Sequence, residues 1–247
     1  KTDTTVYWKM KKISVIGAGT MGTGIAQVAA THGCMVNIVD SSPDALDRSK
    51  FNLHSLLNRL VEKGKVNEMD SDNIFSKINW SIEIEDIAAS ELVIEAVVED
   101  MIVKQQLFTK IEPLVSNNCI IATNTSSLSV VDISSVCSNP SRVLGVHFFN
   151  PVPLMKLVEV IPAEQTDTTL IEGIKSTLNS WGKTVVIAKD TPGFIVNRVA
   201  RPYYGEALRI YDEGIADFST IDWAMKKFGG FRMGPFELMD YIGNDVN

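Results

Sequence analysis

Of the three histidines in the chain, His147 is the one whose position suits a proton acceptor. His32 follows the first predicted helix and His54 lies inside the second, so both are interpreted as surface or helix residues. His147 ends a predicted strand, and the carboxyl ends of strands line the ligand crevice of open α/β sheets. Because histidine is the commonest general base near neutral pH, we predict that His147 takes a proton from a substrate.

A glutamate is expected to face this histidine across a hairpin. Residues 142–149 and 155–161 are predicted strands, and the connection between them is too short for a parallel crossover, so the pair should be antiparallel. A hairpin centred near Pro153 puts His147 opposite Glu159. A carboxylate there can hold one ring nitrogen protonated and leave the other as the acceptor. The same spacing is equally compatible with a purely structural ion pair.

Glycines after the first predicted strand form a dinucleotide-binding fingerprint. The run Gly17-Ala18-Gly19-Thr20-Met21-Gly22 is a G-x-G-x-x-G motif between a strand and a helix. These glycines allow a tight turn, a close approach to a pyrophosphate and close helix packing. Asp40 ends the second predicted strand, where a carboxylate accepts ribose hydroxyls and repels a 2′-phosphate. The pattern favours NAD over NADP, and over an ordinary glycine turn with a surface aspartate.

Two further polar segments are weaker candidates. Asn124-Thr125-Ser126-Ser127 follows a strand predicted at 119–123, where such residues most often cap a helix, here one predicted at 128–136. Asn197 lies in a predicted helix, where asparagine is usually solvated. From the residues alone, neither segment indicates a function.

The elements that position these residues alternate between strand and helix in the first part of the chain. This alternation predicts an α/β fold, a Rossmann-like doubly wound sheet to which the hairpin adds an antiparallel pair. From Pro192 onward the pattern is helical, with helices predicted at 192–213, 219–228 and 234–242. We therefore expect an NAD-binding Rossmann-like domain at 1–190 and an all-helical C-terminal domain, truncated in this chain, at 191–247. Residues 1–9 are interpreted as a tag, a linker or an ordered extension.

The composition excludes several classes of protein. Of the 247 residues, 45% are apolar and 21% are charged, which is typical of a globular protein. The formal net charge of −7 argues against a nucleic-acid partner. No apolar run is long enough for a membrane span. Three cysteines without a CxxC pair indicate a reducing compartment, predicted as the cytoplasm, and provide no metal site.

Six stretches together resemble the L-3-hydroxyacyl-CoA dehydrogenase family and occur in the family's order. They are VIGAGTMGTGIAQVAA (15–30), VIEAVVED (93–100), NTSSL (124–128), HFFNPVPLMKLVEVI (147–161), DTPGFIVNR (190–198) and MGPFELMDYIG (233–243). The fourth and fifth stretches are the most specific to the family. The resemblance implies an NAD domain followed by a helical domain, with the active site between them, and reversible oxidation of an L-3-hydroxyacyl-CoA by NAD.

The resemblance also implies roles for individual residues. His147 matches the base, Glu159 the carboxylate that orients it, and Ser126 the residue that binds the substrate oxygen. Asn197 matches an asparagine that helps to fix the histidine and the substrate. The implied further cofactor contacts are Glu99, Lys104 and Asn124, and the implied coenzyme A contact is Lys63, although Lys65 competes for that match.

Two alternatives stay open beside this assignment. One is a non-catalytic NAD-binding relative like the lens crystallins, and the other is a sugar-acid dehydrogenase of the L-gulonate type. The segments Phe148-Phe149 and Met155-Lys156 match the acyl-CoA form rather than these relatives. The resemblance further implies a homodimer formed through the helical domain, and the mitochondrial matrix if the source is eukaryotic.

Overall fold

An eight-stranded sheet organises the first of two units in the computed structural model, which describes residues 10–243. The strands are β1 (Lys12–Ile16), β2 (Met35–Val39), β3 (Ile78–Ser81), β4 (Leu92–Glu95), β5 (Ile120–Thr123), β6 (Val143–Phe148), β7 (Leu157–Pro162) and β8 (Thr184–Ile187). Their spatial order is β3-β2-β1-β4-β5-β6-β7-β8. Every neighbouring pair is parallel except β6 and β7, which are antiparallel. The predicted Rossmann-like sheet with an antiparallel hairpin is therefore confirmed.

Helices pack on both faces of this sheet. They are α1 (Thr20–Thr31), α2 (Pro43–Glu62), α3 (Glu68–Ser76), α4 (Met101–Ile111), α5 (Val130–Ser134) and α6 (Thr168–Ser180). In β4, Leu92 and Ile94 belong to one core cluster, whereas Val93 between them belongs to another that includes Phe108 of α4. Successive side chains of a strand point to opposite faces, so the two clusters are the two buried sides of the sheet.

One α-helix and one strand of the first unit are absent from the sequence prediction, and one predicted cap is wrong. Helix α3 is short and acidic and buries only Ser71 and Ile74, while β3 is a four-residue edge strand. Neither has a strong hydrophobic period. The helix predicted at 128–136 is the shorter α5, and its cap is Ser129, whose side chain accepts from Asp132 N, rather than the 124–127 segment.

The second unit begins at Ile195 and, within the described residues, contains α7 (Val196–Asp212), α8 (Phe218–Lys227) and α9 (Pro235–Ile242). The helix predicted from residue 192 starts later because Gly193 and Phe194 have φ angles of 76° and 47°. These left-handed conformations cannot continue an α-helix. In the described part of the chain, no helix combines the length and apolarity needed to cross a membrane. Residues 1–9, for which three interpretations were open, lie outside the described residues.

Candidate active site

The glycine fingerprint forms a tight loop between β1 and α1. A Cβ atom on Gly17, whose φ is +109°, would lie 2.4 Å from the backbone oxygen of Ala96, and one on Gly22 would lie 1.8 Å from Gly17 O. Any side chain at these two positions would therefore displace the backbone. At Gly19 an added Cβ would meet no atom within 4 Å, so this glycine faces open space in front of α1.

The N-terminus of α1 has the properties of an anion site. Its N-cap is Gly19, which provides no side-chain hydrogen bond, and its first turn carries no acidic residue. The N–H groups of that turn and the positive end of the helix dipole therefore remain for a ligand. The loop lies where β1 has β2 on one side and β4 on the other, which is the switch point of the sheet. This uncapped helix end fits a dinucleotide pyrophosphate.

Asp40 stands beside the glycine loop and holds it in place. Its Oδ2 accepts from Ala18 N at 2.7 Å, and its Oδ1 accepts from Ser42 N at 2.9 Å. Each carboxylate oxygen keeps acceptor capacity beyond these bonds. The side chain can therefore anchor the loop and still accept hydroxyl groups of a ribose.

His147 and Glu159 face each other across β6 and β7, as the hairpin register predicted. The distance between His147 Nδ1 and Glu159 Oε2 is 2.8 Å. Glu159 is fully buried and His147 is 6% exposed, with the ring of Phe149 centred 4.4 Å from the imidazole. In this arrangement Nδ1 donates its proton to the carboxylate, which leaves the lone pair on Nε2. The pair therefore has the form of a base with its orienting acid.

The loop after β5 is organised by the carboxylate of Glu99. Oε1 accepts from Thr125 Oγ1 at 2.6 Å and from Ser126 N at 2.7 Å, and it lies 3.3 Å from Ser126 Oγ. Partial burial raises the pKa of Glu99, but the bond from Thr125, the charge of Lys104 and the bond from Ser126 outweigh this effect and hold the pKa below its ordinary value. Glu99 is thus an ionised acceptor that shapes the loop carrying Ser126.

The side chain of Asn124 joins this loop to the strand that bears the histidine. Its Oδ1 accepts from Phe148 N at 2.9 Å, one residue beyond His147. The structure therefore brings Asn124, Ser126 and Glu99 to the same edge of the sheet as His147.

Lys104 lies inside this edge rather than on its surface. Its side chain is 1% exposed, and its Nζ lies 2.6 Å from Glu95 Oε1 and 3.3 Å from Glu99 Oε2. Glu95 is a site residue that the sequence motifs did not predict. The signal that could have found it is an acidic residue at the end of an otherwise apolar strand, because an isolated carboxylate is costly to bury.

A cavity of about 640 Å³ opens beside the glycine loop, between α1, α2 and the segment that follows His147. Its walls include Arg48 and Leu56 of α2 and the segment Asn150–Leu154. Lys65 lies in its wall, whereas Lys63 is the C-cap residue of α2 and does not line it. The cationic residues of this cavity are therefore Arg48 and Lys65.

Asn197 and the other two histidines belong to helices or helix ends. Asn197 is in the first turn of α7, in the second unit. His32 is the C-cap of α1 and bonds through Nδ1 to Val28 O at 2.8 Å, while His54 lies in α2 with its ring centred 5.2 Å from that of Phe75. These contacts agree with the structural interpretation of both histidines.

A dinucleotide-type glycine loop at the switch point, with a histidine–carboxylate pair on the same edge of the sheet, defines the class of nicotinamide-dependent oxidoreductases. Residues 12–191 match the family described as 3-hydroxyacyl-CoA dehydrogenase, NAD binding domain, and residues 193–247 match the 3-hydroxyacyl-CoA dehydrogenase C-terminal domain. The chain therefore belongs to the 3-hydroxyacyl-CoA dehydrogenase family, and its first unit is the NAD-binding domain.

Individual relatives support the same family. The chain is 44% identical over 238 residues to 3-hydroxyadipyl-CoA dehydrogenase of Escherichia coli, covering 96% of this chain and 50% of that protein. It is 43% identical over 243 residues to mitochondrial hydroxyacyl-coenzyme A dehydrogenase of Sus scrofa, covering 96% and 77%. A crystal structure of 3-hydroxybutyryl-CoA dehydrogenase from E. coli superimposes with a TM-score of 0.95 at 44% identity, covering 97% of this chain and 51% of that one. The chain thus spans about half the length of its E. coli relatives.

Proposed function

We propose that this protein catalyses the reversible oxidation of an L-3-hydroxyacyl-CoA to the 3-oxoacyl-CoA with NAD. The observation that carries the proposal is the bond of 2.8 Å between His147 Nδ1 and Glu159 Oε2, on the carboxyl edge of the NAD-binding sheet. When bound, NAD supplies the acceptor for the hydride that leaves C3 of the substrate. The chain must then supply a base for the hydroxyl proton.

His147 has the geometry for this task. Because Nδ1 keeps its proton and donates it in the hydrogen bond to Glu159, Nε2 carries the lone pair that accepts the substrate hydroxyl proton. The imidazole becomes positive as the proton arrives, and the buried carboxylate of Glu159 stabilises that charge at short range. In the reverse direction the same nitrogen returns the proton to the 3-oxo group.

Ser126 is proposed to turn its hydroxyl away from Glu99 Oε1, to which it donates at 3.3 Å, and to donate instead to the substrate oxygen. Its backbone is held by Glu99, and Asn124 ties the neighbouring strand end to β6. Such fixed donors contribute by positioning and by electrostatic stabilisation, without a covalent step. Asn197, in the second unit, is proposed to help fix the histidine and the substrate, and this role depends on the family resemblance alone.

The cofactor is proposed to lie over the glycine loop. Residues 17–22 and the first turn of α1 would hold the pyrophosphate, and Asp40 would accept the hydroxyls of the adenosine ribose. Glu99, Lys104 and Asn124 are proposed to act nearer the nicotinamide. Since the Lys104 ammonium is enclosed by two carboxylates, we expect its contribution to be mainly electrostatic.

The cavity beside the glycine loop supports coenzyme A as part of the substrate. Its apolar lining from Leu53, Leu56 and Leu60 suits a pantetheine arm, and Arg48 and Lys65 are placed to meet phosphate groups. Lys63, the coenzyme A contact that the resemblance implies, is the C-cap residue of α2 and would contact coenzyme A from outside the cavity wall.

The second unit supports a homodimer through its helices. Trp223, Phe228 and Tyr241 are large apolar side chains that it leaves mostly exposed, which is typical of surfaces that bind another chain.

The cysteines support a reducing compartment, proposed as the cytoplasm or the mitochondrial matrix. Cys34, Cys119 and Cys137 are all buried and are distant in sequence.

The purified 247-residue chain provides the test. We expect it to consume NADH when acetoacetyl-CoA is added, and to produce no NADH from NAD and L-gulonate. Failure to consume NADH with acetoacetyl-CoA, by a chain that binds NADH in a fluorescence titration, would point to a non-catalytic relative. NADH production from L-gulonate would point to the sugar-acid alternative.

A further inference from the structure

Glu95 is a fully buried carboxylate at the last residue of β4, and both of its oxygens are hydrogen-bonded. Oε1 accepts from Lys104 Nζ at 2.6 Å and from Val97 N at 2.8 Å, while Oε2 accepts from Thr123 Oγ1 at 2.7 Å. These donors come from α4, from the turn after β4 and from the end of β5. Glu95 therefore joins three segments that end at the same edge of the sheet.

The ammonium group of Lys104 connects Glu95 to a second carboxylate, that of Glu99. It lies between Glu95, at 2.6 Å, and Glu99, at 3.3 Å, and is itself buried. A buried cation needs compensating partners, so removing one of them leaves a charge that must find new ones. Without Glu95, the Lys104 ammonium would turn fully toward Glu99 or toward water.

Glu99 in turn sets the position of the loop that carries Ser126. In addition to its bonds with Thr125 and Ser126, its Oε1 lies 3.2 Å from Ser127 N and accepts from it. A movement of the Glu99 carboxylate would therefore release several donors of this loop together. Since these bonds are charge-assisted, they hold the loop more firmly than neutral bonds would.

The backbone of Glu95 reaches the histidine by a second path. Its carbonyl oxygen accepts from Asn124 N at 2.8 Å, and Asn124 Oδ1 accepts from Phe148 N, next to His147. The side chain of Glu95 is thus connected to the Ser126 loop through Lys104 and Glu99, and its backbone bonds to Asn124, whose side chain bonds to β6.

We propose that Glu95 is a positioning residue for the reaction, which holds Lys104 and Glu99 so that Ser126 keeps its place at the edge of the sheet where His147 lies. This inference rests on the proposed function for its kinetic effect. Its structural effect, the ordering of the loop at 125–127, can be measured whether or not the chain turns over a substrate.

The chain provides a matched control in a second buried acid–cation pair. Glu112 accepts from Ser138 N and Asn139 N at 2.7 Å each and lies 3.8 Å from Arg142 Nη2. It resembles Glu95 in burial and in its cationic partner, but it holds the loop at 138–139 instead of the loop at 125–127. Glu112→Gln therefore shows how the loss of a buried charge alone affects stability and kcat, without disturbing Ser126.

The experiment compares Glu95→Gln with Glu112→Gln in the 247-residue chain. We expect Glu95→Gln to lower kcat for acetoacetyl-CoA reduction by up to roughly 100-fold, as small misplacements of reacting groups do. KM should change much less. Hydrogen exchange at the amides of Ser126 and Ser127 should become faster. Glu112→Gln should speed exchange at 138–139, leave the 125–127 amides protected and keep kcat within about twofold of the wild type.

Thr123→Val keeps the inference testable if Glu95→Gln does not fold. It removes the hydroxyl that donates to Glu95 Oε2 and that accepts from Thr125 N, but it leaves the Glu95–Lys104 ion pair. We expect a smaller loss of kcat, and faster exchange at Ser126 and Ser127, whose amides bond to Glu99 rather than to Thr123. Unchanged exchange of these amides in a folded Glu95→Gln or Thr123→Val variant would overturn the proposal. A normal kcat in a Glu95→Gln variant whose Tm is lowered would also overturn it. If the wild type has no activity, the exchange measurement alone decides the positioning role and the proposed function fails separately.

Discussion

The ammonium group of Lys183, a buried residue immediately before β8, donates to the backbone oxygen of Val152 at 2.5 Å. It also donates to Met155 O at 2.8 Å, so one lysine fixes both ends of a four-residue stretch. On the other side, a Cβ on Gly24 of α1 would come within 3.0 Å of Val152 Cβ. The segment 150–154, which forms a wall of the candidate coenzyme A cavity, is therefore held between α1 and Lys183.

Lys183→Met should loosen this wall. The substitution leaves the oxygens of Val152 and Met155 without their donor, which costs on the order of 1–3 kcal/mol of unfolding free energy when such groups are buried. We also expect KM for acetoacetyl-CoA to rise several-fold, while the affinity for NADH is nearly unchanged. Urea denaturation and steady-state kinetics measure the two effects. Lys175→Met is the control, because Lys175 is partly exposed and pairs only loosely with Glu172, at 3.6 Å. Equal effects in both variants would contradict the assignment.

His147→Gln should remove turnover and spare cofactor binding. Loss of a general base lowers kcat by roughly 10²–10⁴-fold, whereas the dinucleotide is expected to be held by residues 17–22 and Asp40. Stopped-flow or steady-state kinetics of NADH consumption give kcat, and a fluorescence titration gives the Kd for NADH. His54→Gln, in α2, should behave like the wild type. A His147→Gln enzyme within a few-fold of normal kcat would make the His147–Glu159 pair merely structural.

Glu159→Gln tests the second member of the pair. The amide oxygen can still accept from Nδ1 of His147, but the negative charge that stabilises the imidazolium is lost. We expect kcat to fall by at least roughly tenfold, with little change in NADH affinity. A matched loss of kcat in Glu112→Gln, which removes a different buried carboxylate, would show that general destabilisation and not the charge beside His147 is responsible.

The sequence was sufficient to predict this pair but not the ion pair between Glu95 and Lys104. The register that joins His147 and Glu159 follows from strand period and a short connection, which are local properties of the chain. The contact between Glu95 and Lys104 joins β4 to α4 through side-chain packing, and no sequence period encodes it. In the same way, the helical pattern from residue 192 gave no sign of the left-handed backbone at Gly193 and Phe194 that delays α7.

The lowered pKa of Glu99 predicts a pH-dependent contribution to stability. A carboxyl group whose pKa is lower in the folded than in the unfolded state stabilises the fold above its ordinary pKa of 4.5, and this contribution is lost as the pH falls through the folded value. Glu99→Gln should therefore be less stable than the wild type at neutral pH, and the difference in unfolding free energy should shrink as the pH is lowered below 4.5. Urea denaturation of both proteins at several pH values measures this difference in unfolding free energy. A difference that is constant with pH would mean that Glu99 titrates alike in both states.

Asp40→Asn should reduce the preference for NADH over NADPH. The amide oxygen can keep the bond from Ala18 N that anchors the glycine loop, whereas the amide nitrogen cannot accept the bond from Ser42 N. The glycine loop is therefore disturbed less than by a larger side chain. The substitution removes the negative charge that would repel a 2′-phosphate and weakens the acceptor for the ribose hydroxyls. We expect the Kd for NADH to rise roughly tenfold, in line with the loss of a charge-assisted hydrogen bond, and the Kd for NADPH to rise less or to fall. Fluorescence titrations with both cofactors give the ratio, and Asp44→Asn in the first turn of α2 is the control for a nearby lost charge. An unchanged ratio of the two dissociation constants would show that Asp40 serves the glycine loop alone.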